Sequence, residues 1–538
     1  MNRDLSIAQL QSETFDLLII GGGITGAGIA LDATTRGLKT ALIEKTDFAF
    51  GTSSRSTKLI HGGLRYLKQL EFGLVKEVGS ERAVVHKLAP HLVIPEKMLL
   101  PLYEKRGLGS TLTSIGLKLY DWLAGVKPED QRKMLTRRQT LNQEPLLNPH
   151  DVKGGAIYAE YRTDDARLTL EIIKSASAHG ATVTNYCEAT HFIYREGKMV
   201  GVEALDVLTN RKFSIKSKAV VNAAGPWVDL LRTKDKSKTG KHLHLTKGVH
   251  LVVPHQKLPV VQSIYFDVGD GRMIFAIPRG RITYVGTTDT NYSGSLDEVF
   301  TEKADAEYLI YAVNLTFTNV HLQLADIESS WAGLRPLINE EGKSASELSR
   351  KDEIFESPSG LISIAGGKLT GYRKMAERVV DLVVKRSFDE HELKSCLTGS
   401  ILLAASNFKN EKEVKNYRQL ICEKLKLHHL QHETETLVSN FGKQSDAILL
   451  VFETLPDEDP EIRLAKAQLH YGLKNEMVIN ASDFFVRRIG VLYFDMPLLK
   501  KIMEPCLHVM ADHFKWDATK VGEERSEMER LIGRTHQF

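Results

Sequence analysis

Residues 15–44 read FDLLIIGGGITGAGIALDATTRGLKTALIE, and this stretch decides the fold. Its first apolar run ends in glycines, of which Gly21, Gly23 and Gly26 fit the pattern G-x-G-x-x-G. In that pattern the first glycine permits a tight turn, the second lets the backbone approach a pyrophosphate, and the third lets the helix pack on the strand. A second apolar run ends at Glu44, whose carboxylate can accept hydrogen bonds from the ribose of an adenosine. The stretch therefore predicts a strand, a helix and a second strand that together bind a dinucleotide.

The length and composition of the chain are those of a multidomain globular protein. At 538 residues it is too long for one ordinary core, so we expect two or three domains. A net charge of +3, from 71 basic and 68 acidic residues, gives no indication of nucleic-acid binding. The N-terminus lacks the apolar region of a secretory signal, and no apolar stretch reaches the roughly 18 residues that span a bilayer.

The cysteines and two neighbouring histidines give no metal framework. The four cysteines are far apart and suit a reducing cytoplasm. His242 and His244 could form a metal pair, but no further ligands follow nearby, so we expect a polar passage from loop to strand.

Two later stretches repeat the change from strand to glycines. Residues 218–229 read KAVVNAAGPWVD, and residues 361–374 read LISIAGGKLTGYRK and lead into a helix. Such units, far apart in sequence, predict one parallel sheet interrupted by insertions. Between them, residues 249–253 and 273–288 read as strands, the second range forming an antiparallel hairpin. We expect these strands to form a second domain over the cofactor.

From about residue 396 the pattern becomes helical. The apolar positions of residues 411–427 recur at helical spacing, as Val414, Tyr417, Ile421 and Leu425. Residues 456–460 (PDEDP) indicate a loop, and residues 483–488 lie in another helical pattern. We predict a separate C-terminal helical domain, and we read the basic stretch 232–247 as a solvated loop.

Residues 50–67, FGTSSRSTKLIHGGLRYL, favour FAD over NAD as the dinucleotide. Small residues and paired glycines let a chain lie along an extended cofactor and expose backbone amides to it. The alternative is a loop rich in serine and glycine that merely precedes a helix.

With these segments the chain resembles the FAD-dependent glycerol 3-phosphate dehydrogenases of the respiratory type over nearly its full length. The matching segments are 21–33, 53–67 (SSRSTKLIHGGLRYL), 220–229, 247–254 (KGVHLVVP), 330–337 (SWAGLRPL) and 365–377 (AGGKLTGYRKMAE), with Tyr471, Glu476, Asp483, Arg487 and Arg488 near the C-terminus. The chain departs from many flavoproteins in having Gly366-Gly367 in place of Gly-Asp, so we expect backbone contacts there.

The resemblance implies an α/β fold with three parts. These are a discontinuous Rossmann-like FAD-binding domain, an inserted antiparallel-sheet substrate domain of the D-amino-acid-oxidase (glutathione-reductase-2) type, and a C-terminal α-helical domain. The oxidoreductase region is expected at 15–392, with FAD-binding segments at about 15–95, 155–245 and 330–392, substrate-domain segments at about 96–154 and 246–329, and the helical domain at 393–538.

The resemblance further implies FAD as the cofactor, with no metal. The expected cofactor contacts are Gly21, Gly23, Ile24, Thr25, Gly26, Glu44, Lys45, Thr52, Ser53, Ser54, Lys58, Leu59, His61, Gly62, Gly63, Ala224, Gly225, Trp227, Gly366, Gly367, Lys368, Leu369 and Thr370.

The same resemblance assigns the substrate contacts. Arg65 and Arg335 are expected to bind a substrate phosphate, since guanidinium groups match phosphate oxygens bidentately. Tyr66 and Thr370 are expected to donate hydrogen bonds, and Arg373 is a secondary phosphate ligand. For each arginine the alternative is a structural ion pair, with Glu377 as the partner of Arg373.

The expected catalytic residues are His250, Arg335 and Lys368. A histidine can remove the C2 hydroxyl proton while the C2 hydride goes to the flavin. Lys368 could hold the flavin's pyrimidine end or the substrate hydroxyl. The alternatives are a core histidine and a solvated lysine.

The function implied is oxidation of sn-glycerol 3-phosphate to dihydroxyacetone phosphate, with electrons passed through FAD to a quinone. The resemblance implies a cytoplasmic enzyme in peripheral contact with the inner membrane face, and leaves a homodimer open. An oxygen-dependent glycerol-3-phosphate oxidase is one alternative. Such oxidases carry an inserted segment after the LRPL motif, for which residues 337–365 leave no room. A flavin-dependent amine or hydroxyacid oxidoreductase and a non-catalytic nucleotide-binding scaffold are the others.

Overall fold

The computed structural model describes residues 1–61, 72–103, 131–339, 351–388 and 393–538, together with positions 116, 118 and 119. Within these ranges the chain forms two sheets, the helices that lie between their strands in sequence, and a C-terminal group of helices. No helix of the described ranges is both long enough and apolar enough to cross a membrane.

The strands and helices follow one another from the N-terminus to the C-terminus. The strands are β1 (Thr14–Ile20), β2 (Thr40–Ile43), β3 (Leu59–Ile60), β4 (Ile94–Tyr103), β5 (Lys133–Thr136), β6 (Val152–Arg162), β7 (Thr182–Thr184), β8 (Cys187–Arg195), β9 (Lys198–Asp206), β10 (Arg211–Asn222), β11 (Leu243–Pro254), β12 (Ser263–Asp267), β13 (Met273–Arg279), β14 (Ile282–Gly286), β15 (Thr290–Asn291), β16 (Ser329–Ile338), β17 (Asp352–Glu356) and β18 (Ile362–Gly366). The α-helices are α1 (Arg3–Ser12), α2 (Ile24–Arg36), α3 (Phe72–Leu88), α4 (Arg137–Gln143), α5 (Asp165–Ala178), α6 (Val228–Lys234), α7 (Lys303–Thr316), α8 (Tyr372–Ser387), α9 (Glu411–Lys426), α10 (Thr434–Phe441), α11 (Ser445–Thr454), α12 (Pro460–Asn475), α13 (Val491–Phe494), α14 (Met496–Phe514) and α15 (Ala518–His536), with a π-helix at Asp483–Arg488.

The first sheet contains the parallel strands that the glycine segments predict, but the sheet is mixed. Its strand order is β17-β18-β10-β1-β2-β7, and β1 runs parallel to both β10 and β2. β17 pairs antiparallel with β18, and β9 pairs antiparallel with β10 and with β8. β1 is buried on both faces because Leu17 and Ile19 join one core while Leu18 and Ile20 join another. Helices α5 and α8 pack on α2. A strand covered on both faces reads as a continuous apolar run, which is why β1 is recognisable in the sequence.

The second sheet is almost wholly antiparallel and carries the expected hairpin of β13 and β14. In its centre β11 pairs with β14 on one side and with β16 on the other. This register sets His250 opposite Trp331 and Thr246 opposite Arg335. The sheet therefore brings two residues that are 85 positions apart in sequence onto adjacent strands.

Three strands belong to a different sheet from the one that the expected segment bounds imply. β3, β6 and β16 all pair within the second sheet, although residues 59–60, 155–162 and 330–338 were assigned to FAD-binding segments. A short apolar run has the same pattern in either sheet, so the sequence does not show which sheet it joins.

The prediction of a solvated loop at 232–247 is wrong at both of its ends. Arg232 lies in α6, where it is buried, donates to Asp229 at 2.7 Å and stacks on the Phe355 ring. Lys247 is buried in β11 and pairs with Asp305 at 2.8 Å. Charged residues are rarely buried unless paired, and these partners are not evident from the local sequence.

The C-terminal helices share one apolar core with the second sheet, which contributes residues such as Tyr284 and Trp331. The four apolar positions expected to line a core in α9 are all buried there. An ion cluster joins this core to the first sheet's helices. Glu476, which follows α12, accepts from Arg167 at 2.9 Å and from Lys174 at 2.9 Å, both on α5. Burial would raise the pKa of the Glu476 carboxyl, but Arg167 and Lys174 together hold that pKa well below its usual range.

Replacing Glu476 by Gln should destabilise the protein by about 3–5 kcal/mol at neutral pH, because two buried cations then share one anion, Glu171, in place of two. The folded-state pKa is depressed, so the contribution is full above the ordinary value of about 4.5 and shrinks as the pH falls below it. Denaturant unfolding at several pH values measures the difference from wild type. Glu423→Gln, at an exposed position of α9, is the matched control and should cost little. A Glu476→Gln loss that stays constant down to acid pH would contradict this assignment.

Candidate active site

A long cleft runs between the two sheets, along the carboxyl ends of β1, β2, β10 and β18. This edge is where open α/β sheets bind their ligands. The lining residues from the first sheet's strand ends and loops include Gly21, Gly23, Glu44, Lys45, Ala224, Gly225, Trp227, Gly366, Gly367 and Lys368. The second sheet contributes Gly248, His250, Gly333 and Arg335 to the same cleft.

The glycine turn has the backbone conformation and the close contacts that the G-x-G-x-x-G pattern predicts. Gly21 has φ of +118°, and a Cβ built there would lie 2.6 Å from the carbonyl oxygen of Ala223. A Cβ on Gly26 would lie 1.9 Å from the carbonyl oxygen of Gly21. Only glycine permits both contacts, so α2 begins directly at the turn and its first residues, Ile24 and Thr25, line the cleft.

Glu44, which directly follows β2, stabilises this turn by hydrogen bonds. Its Oε2 accepts from the Gly22 N–H at 2.7 Å, and its Oε1 accepts from the N–H and the hydroxyl of Thr46 at 3.0 Å each. Burial raises the pKa of the Glu44 carboxyl. Each carboxylate oxygen has two lone-pair directions, so acceptor capacity is left for ribose hydroxyls in the cleft.

The cleft's lining fits an extended dinucleotide such as FAD. One end has a helix N-terminus, a glycine turn and a carboxylate, which suit a diphosphate and a ribose. The other end has Lys368 and Thr370, beyond two glycines with φ near +78°. The cleft therefore offers glycine backbone, a helix N-terminus and the donors Lys368 and Thr370, which suit an extended dinucleotide.

His250 is buried at the second sheet's side of the cleft, and its orientation is fixed on two sides. Its Nε2 lies 3.0 Å from the Thr57 hydroxyl, and its ring stacks on Trp331 with centroids 4.7 Å apart. Burial lowers the pKa of His250 well below 6.5, and the Arg335 charge lowers it further. The imidazole is therefore neutral at neutral pH and able to accept a proton.

Arg335 lies beside this histidine with its guanidinium spread over several acceptors. Nη1 donates to the Thr288 carbonyl oxygen and to Asp289, both at 3.1 Å, and Nη2 donates to the Thr287 hydroxyl at 2.9 Å. A Cβ on Gly248 would lie only 2.2 Å from Nη2, so glycine leaves the space that the guanidinium occupies. The side chain lines the cleft and keeps a fixed positive charge there.

Most of the expected site residues lie in this cleft. They are Gly21, Gly23, Ile24, Thr25, Glu44, Lys45, Thr52, Ser53, Leu59, His61, Ala224, Gly225, Trp227, His250, Arg335, Gly366, Gly367, Lys368, Leu369 and Thr370. Gly26 lies behind the lining and serves the close packing of α2 on the turn. Gly62, Gly63, Arg65 and Tyr66 lie outside the described residues.

Arg373 does not line the cleft, which corrects its assignment to the substrate phosphate. Its Nε donates to Glu81 at 2.8 Å and its Nη2 to the same carboxylate at 2.5 Å. Its Nη1 lies 3.6 Å from Glu377, which is the alternative partner that the sequence left open. This buried ion pair holds α8 against α3 and occupies the guanidinium.

Ser54 and Lys58 are also corrected, since neither lines the cleft. The Ser54 hydroxyl donates back to the Phe50 carbonyl oxygen, and Lys58 donates to the Ser54 carbonyl oxygen at 3.0 Å. Lys58 further pairs with Asp165, at the start of α5. Both residues hold the loop that forms the cleft wall.

Sequence reasoning missed three residues that shape the cleft. Thr57 and Trp331 orient the imidazole of His250, and Arg55 lines the cleft directly. The only signal for Arg55 was its place as a single cation within a small polar run. The pairing of Trp331 with His250 depends on the register between β11 and β16, which the local sequence does not indicate.

The chain has close relatives among known proteins. Residues 16–373 match the family described as FAD dependent oxidoreductase, and residues 396–521 match the C-terminal domain of alpha-glycerophosphate oxidase. The chain is 47% identical to the aerobic glycerol-3-phosphate dehydrogenase of Bacillus subtilis (strain 168), over 99% of the chain and 97% of that protein. It is 46% identical to the protein of that name in Staphylococcus epidermidis, over the same shares.

Two solved structures of FAD-bound proteins are also similar to the chain. The glycerol-3-phosphate dehydrogenase of Bacillus halodurans, complexed with FAD, superposes with a TM-score of 0.85 at 44% identity, over 99% of this chain and 97% of that one. The L-alpha-glycerophosphate oxidase of Mycoplasma pneumoniae, with FAD bound, gives a TM-score of 0.56 at 20% identity, over 72% of this chain and 98% of that one. The second likeness shows the fold alone.

Proposed function

The chain belongs to the family of aerobic, FAD-dependent glycerol-3-phosphate dehydrogenases, and on that premise we propose how its residues divide the reaction and where its electrons go. It is an FAD-dependent oxidoreductase that oxidises sn-glycerol 3-phosphate. The observation that carries our assignment of roles is the placement of His250 and Arg335 on the adjacent strands β11 and β16, where both line the cleft that begins at the glycine turn. Bound FAD supplies the acceptor for the hydride that leaves C2 of the substrate.

Arg335 binds the substrate phosphate in this proposal. Its guanidinium is fixed by Thr287, Thr288 and Asp289, so little side-chain entropy is lost when a phosphate arrives. A charge-assisted contact to a guanidinium also distinguishes glycerol 3-phosphate from glycerol. Arg65, which lies outside the described residues, remains a proposed second ligand.

His250 accepts the proton of the C2 hydroxyl. Its neutral state follows from the burial that lowers its pKa, and Thr57 and Trp331 hold the ring in one orientation. Positioning the base by two neighbours reduces the reorganisation needed when the proton moves. Lys368 and Thr370, at the short 3-10 turn just before α8, are proposed to hold the flavin's pyrimidine end or the substrate hydroxyl.

We propose a membrane quinone as the electron acceptor and a peripheral contact with the inner membrane face. The short connection from Pro336 to Gly366 supports the quinone over oxygen, since the related oxidases carry an insertion there. A peripheral contact needs no spanning helix.

An anaerobic titration of the purified protein tests the substrate and the cofactor together. Glycerol 3-phosphate should bleach the flavin absorbance, while glycine, sarcosine and 2-hydroxy acids should not. Bleaching by an amine or hydroxy acid alone would support the other flavoenzyme class instead. Rapid hydrogen peroxide formation during turnover in air would point to an oxidase.

Replacing Arg335 by Ala should lower kcat/KM for glycerol 3-phosphate on the order of 10²–10³-fold, because the charge-assisted phosphate contact is lost. Steady-state kinetics with glycerol, which has no phosphate, provide the internal control. The slow rate with glycerol should change little in the variant. An equal loss with both substrates would mean that Arg335 is structural.

Replacing His250 by Ala should leave the flavin bound but slow its reduction by the substrate, on the order of 10²–10⁴-fold. In the wild type, the lowered pKa keeps the base neutral at pH 6.5, so the acid limb of kcat/KM should fall below that value. Stopped-flow flavin reduction and a pH profile measure the two effects. An unchanged reduction rate in the variant would remove His250 as the base.

A further inference from the structure

Arg55 stands out among the arginines that line the cleft. Within the described residues its guanidinium has no carboxylate within 4.0 Å, whereas Arg335 has Asp289 at 3.1 Å. Its described contact is with the ring of Phe50, 5.1 Å from the centroid. Burial lowers the pKa of Arg55, as expected for a cation removed from water without a full counter-charge. Within the described residues, the cleft thus contains a positive charge that makes no close ion pair.

The position of Arg55 relates it to the start of α2. It follows the short turn Thr52–Ser54, and the Ser53 hydroxyl accepts from the Ile24 N–H at 2.9 Å. On the other side, the Arg55 carbonyl oxygen would lie 2.5 Å from a Cβ built on Gly333. Arg55 is therefore held between the N-terminus of α2 and strand β16.

The Arg55 side chain is related to the Glu44 end of the cleft through Phe50. The guanidinium lies over the Phe50 ring, and the centroid of that ring is 6.3 Å from the centroid of the Trp227 ring. The Trp227 indole and Lys45, which follows Glu44, both donate to Asp297, whose charge also acts on Arg55. The guanidinium therefore belongs to the nucleotide half of the cleft.

We propose that Arg55 binds the diphosphate of FAD and supplies the counter-charge that the N–H groups of α2 alone do not. The inference rests on FAD occupying this cleft, as the proposed function requires. A helix N-terminus carries only about half a charge, so a diphosphate gains further stabilisation from a full guanidinium. Arg55 is also preorganised, because Phe50 and the Gly333 contact limit its movement.

The test measures FAD release from the holoprotein. Purified wild type and Arg55→Gln are diluted, and the fluorescence of released FAD gives the dissociation constant. We expect the variant to bind FAD on the order of 10–100-fold more weakly, the loss of one hydrogen-bonded charge contact. Added salt should increase FAD release more steeply in the wild type than in the variant, because an ionic contact is screened. Arg195→Gln, at an exposed position of β8, is the matched control and should bind FAD normally.

Two further measurements separate the outcomes. At saturating FAD, KM for glycerol 3-phosphate should stay within about twofold of wild type, since the proposal assigns the Arg55 guanidinium to the cofactor and Arg335 to the substrate. Unchanged FAD affinity with a raised KM would overturn the proposal and assign Arg55 to the substrate phosphate. Unchanged FAD affinity and unchanged KM would overturn it too.

Arg55→Lys keeps the charge and serves if the glutamine variant does not fold. It should bind FAD with intermediate affinity, because lysine lacks the planar fork of donors. FAD affinity no higher than that of Arg55→Gln would overturn the proposal, because the retained charge would then contribute nothing. Because FAD release needs no substrate, this result is independent of whether glycerol 3-phosphate is the substrate.

Discussion

The close contact between the glycine turn and the neighbouring strand sets the position of the whole cleft. Gly21 lies so near the Ala223 carbonyl oxygen that a methyl group would not fit, and Gly26 lies as close to Gly21 itself. This contact brings the start of α2 to the ends of β1 and β10. The anion-binding helix terminus, the Glu44 carboxylate and the second sheet can therefore share one cleft.

A second constraint ties the cofactor loop to the C-terminal domain. Asp47, three residues after Glu44, accepts from Arg488 at 2.7 Å and from Arg487 at 2.5 Å. Burial would raise the pKa of Asp47, but these two arginines hold it at about 2. Arg488 also donates to the Glu476 carbonyl oxygen, so the two buried ion clusters are continuous. The C-terminal helices thus do more than cover the oxidoreductase region, because they fix the loop that carries Glu44.

The sequence predicted those features whose signal is local. The glycine turn, the apolar face of α9 and the hairpin of β13 and β14 each depend on residues within about 20 positions of one another. These features were enough to predict a parallel sheet with an inserted second domain, and the comparisons confirm the fold, the FAD cofactor and the enzyme class.

What the sequence could not show depends on distant partners. Glu81, the ion-pair partner of Arg373, lies 292 positions away in sequence. Nothing near Arg373 in the sequence therefore indicates that its guanidinium is paired with Glu81, and a phosphate ligand was the expected role. The pairing of Lys58 with Asp165 and the stacking of Trp331 on His250 are of the same kind. A basic residue next to a glycine-rich motif has the same local sequence whether its side chain contacts a ligand or a buried acid. Only the tertiary structure distinguishes the two.

The central claim is that one cleft holds the cofactor and presents His250 and Arg335 to the same small phosphoester. A crystal structure of the FAD-loaded protein with dihydroxyacetone phosphate bound tests it most directly. The account predicts the phosphate within hydrogen-bond distance of the Arg335 guanidinium, and the C2 oxygen within hydrogen-bond distance of His250. A ligand bound elsewhere, or bound here with its phosphate turned away from Arg335, would contradict the account.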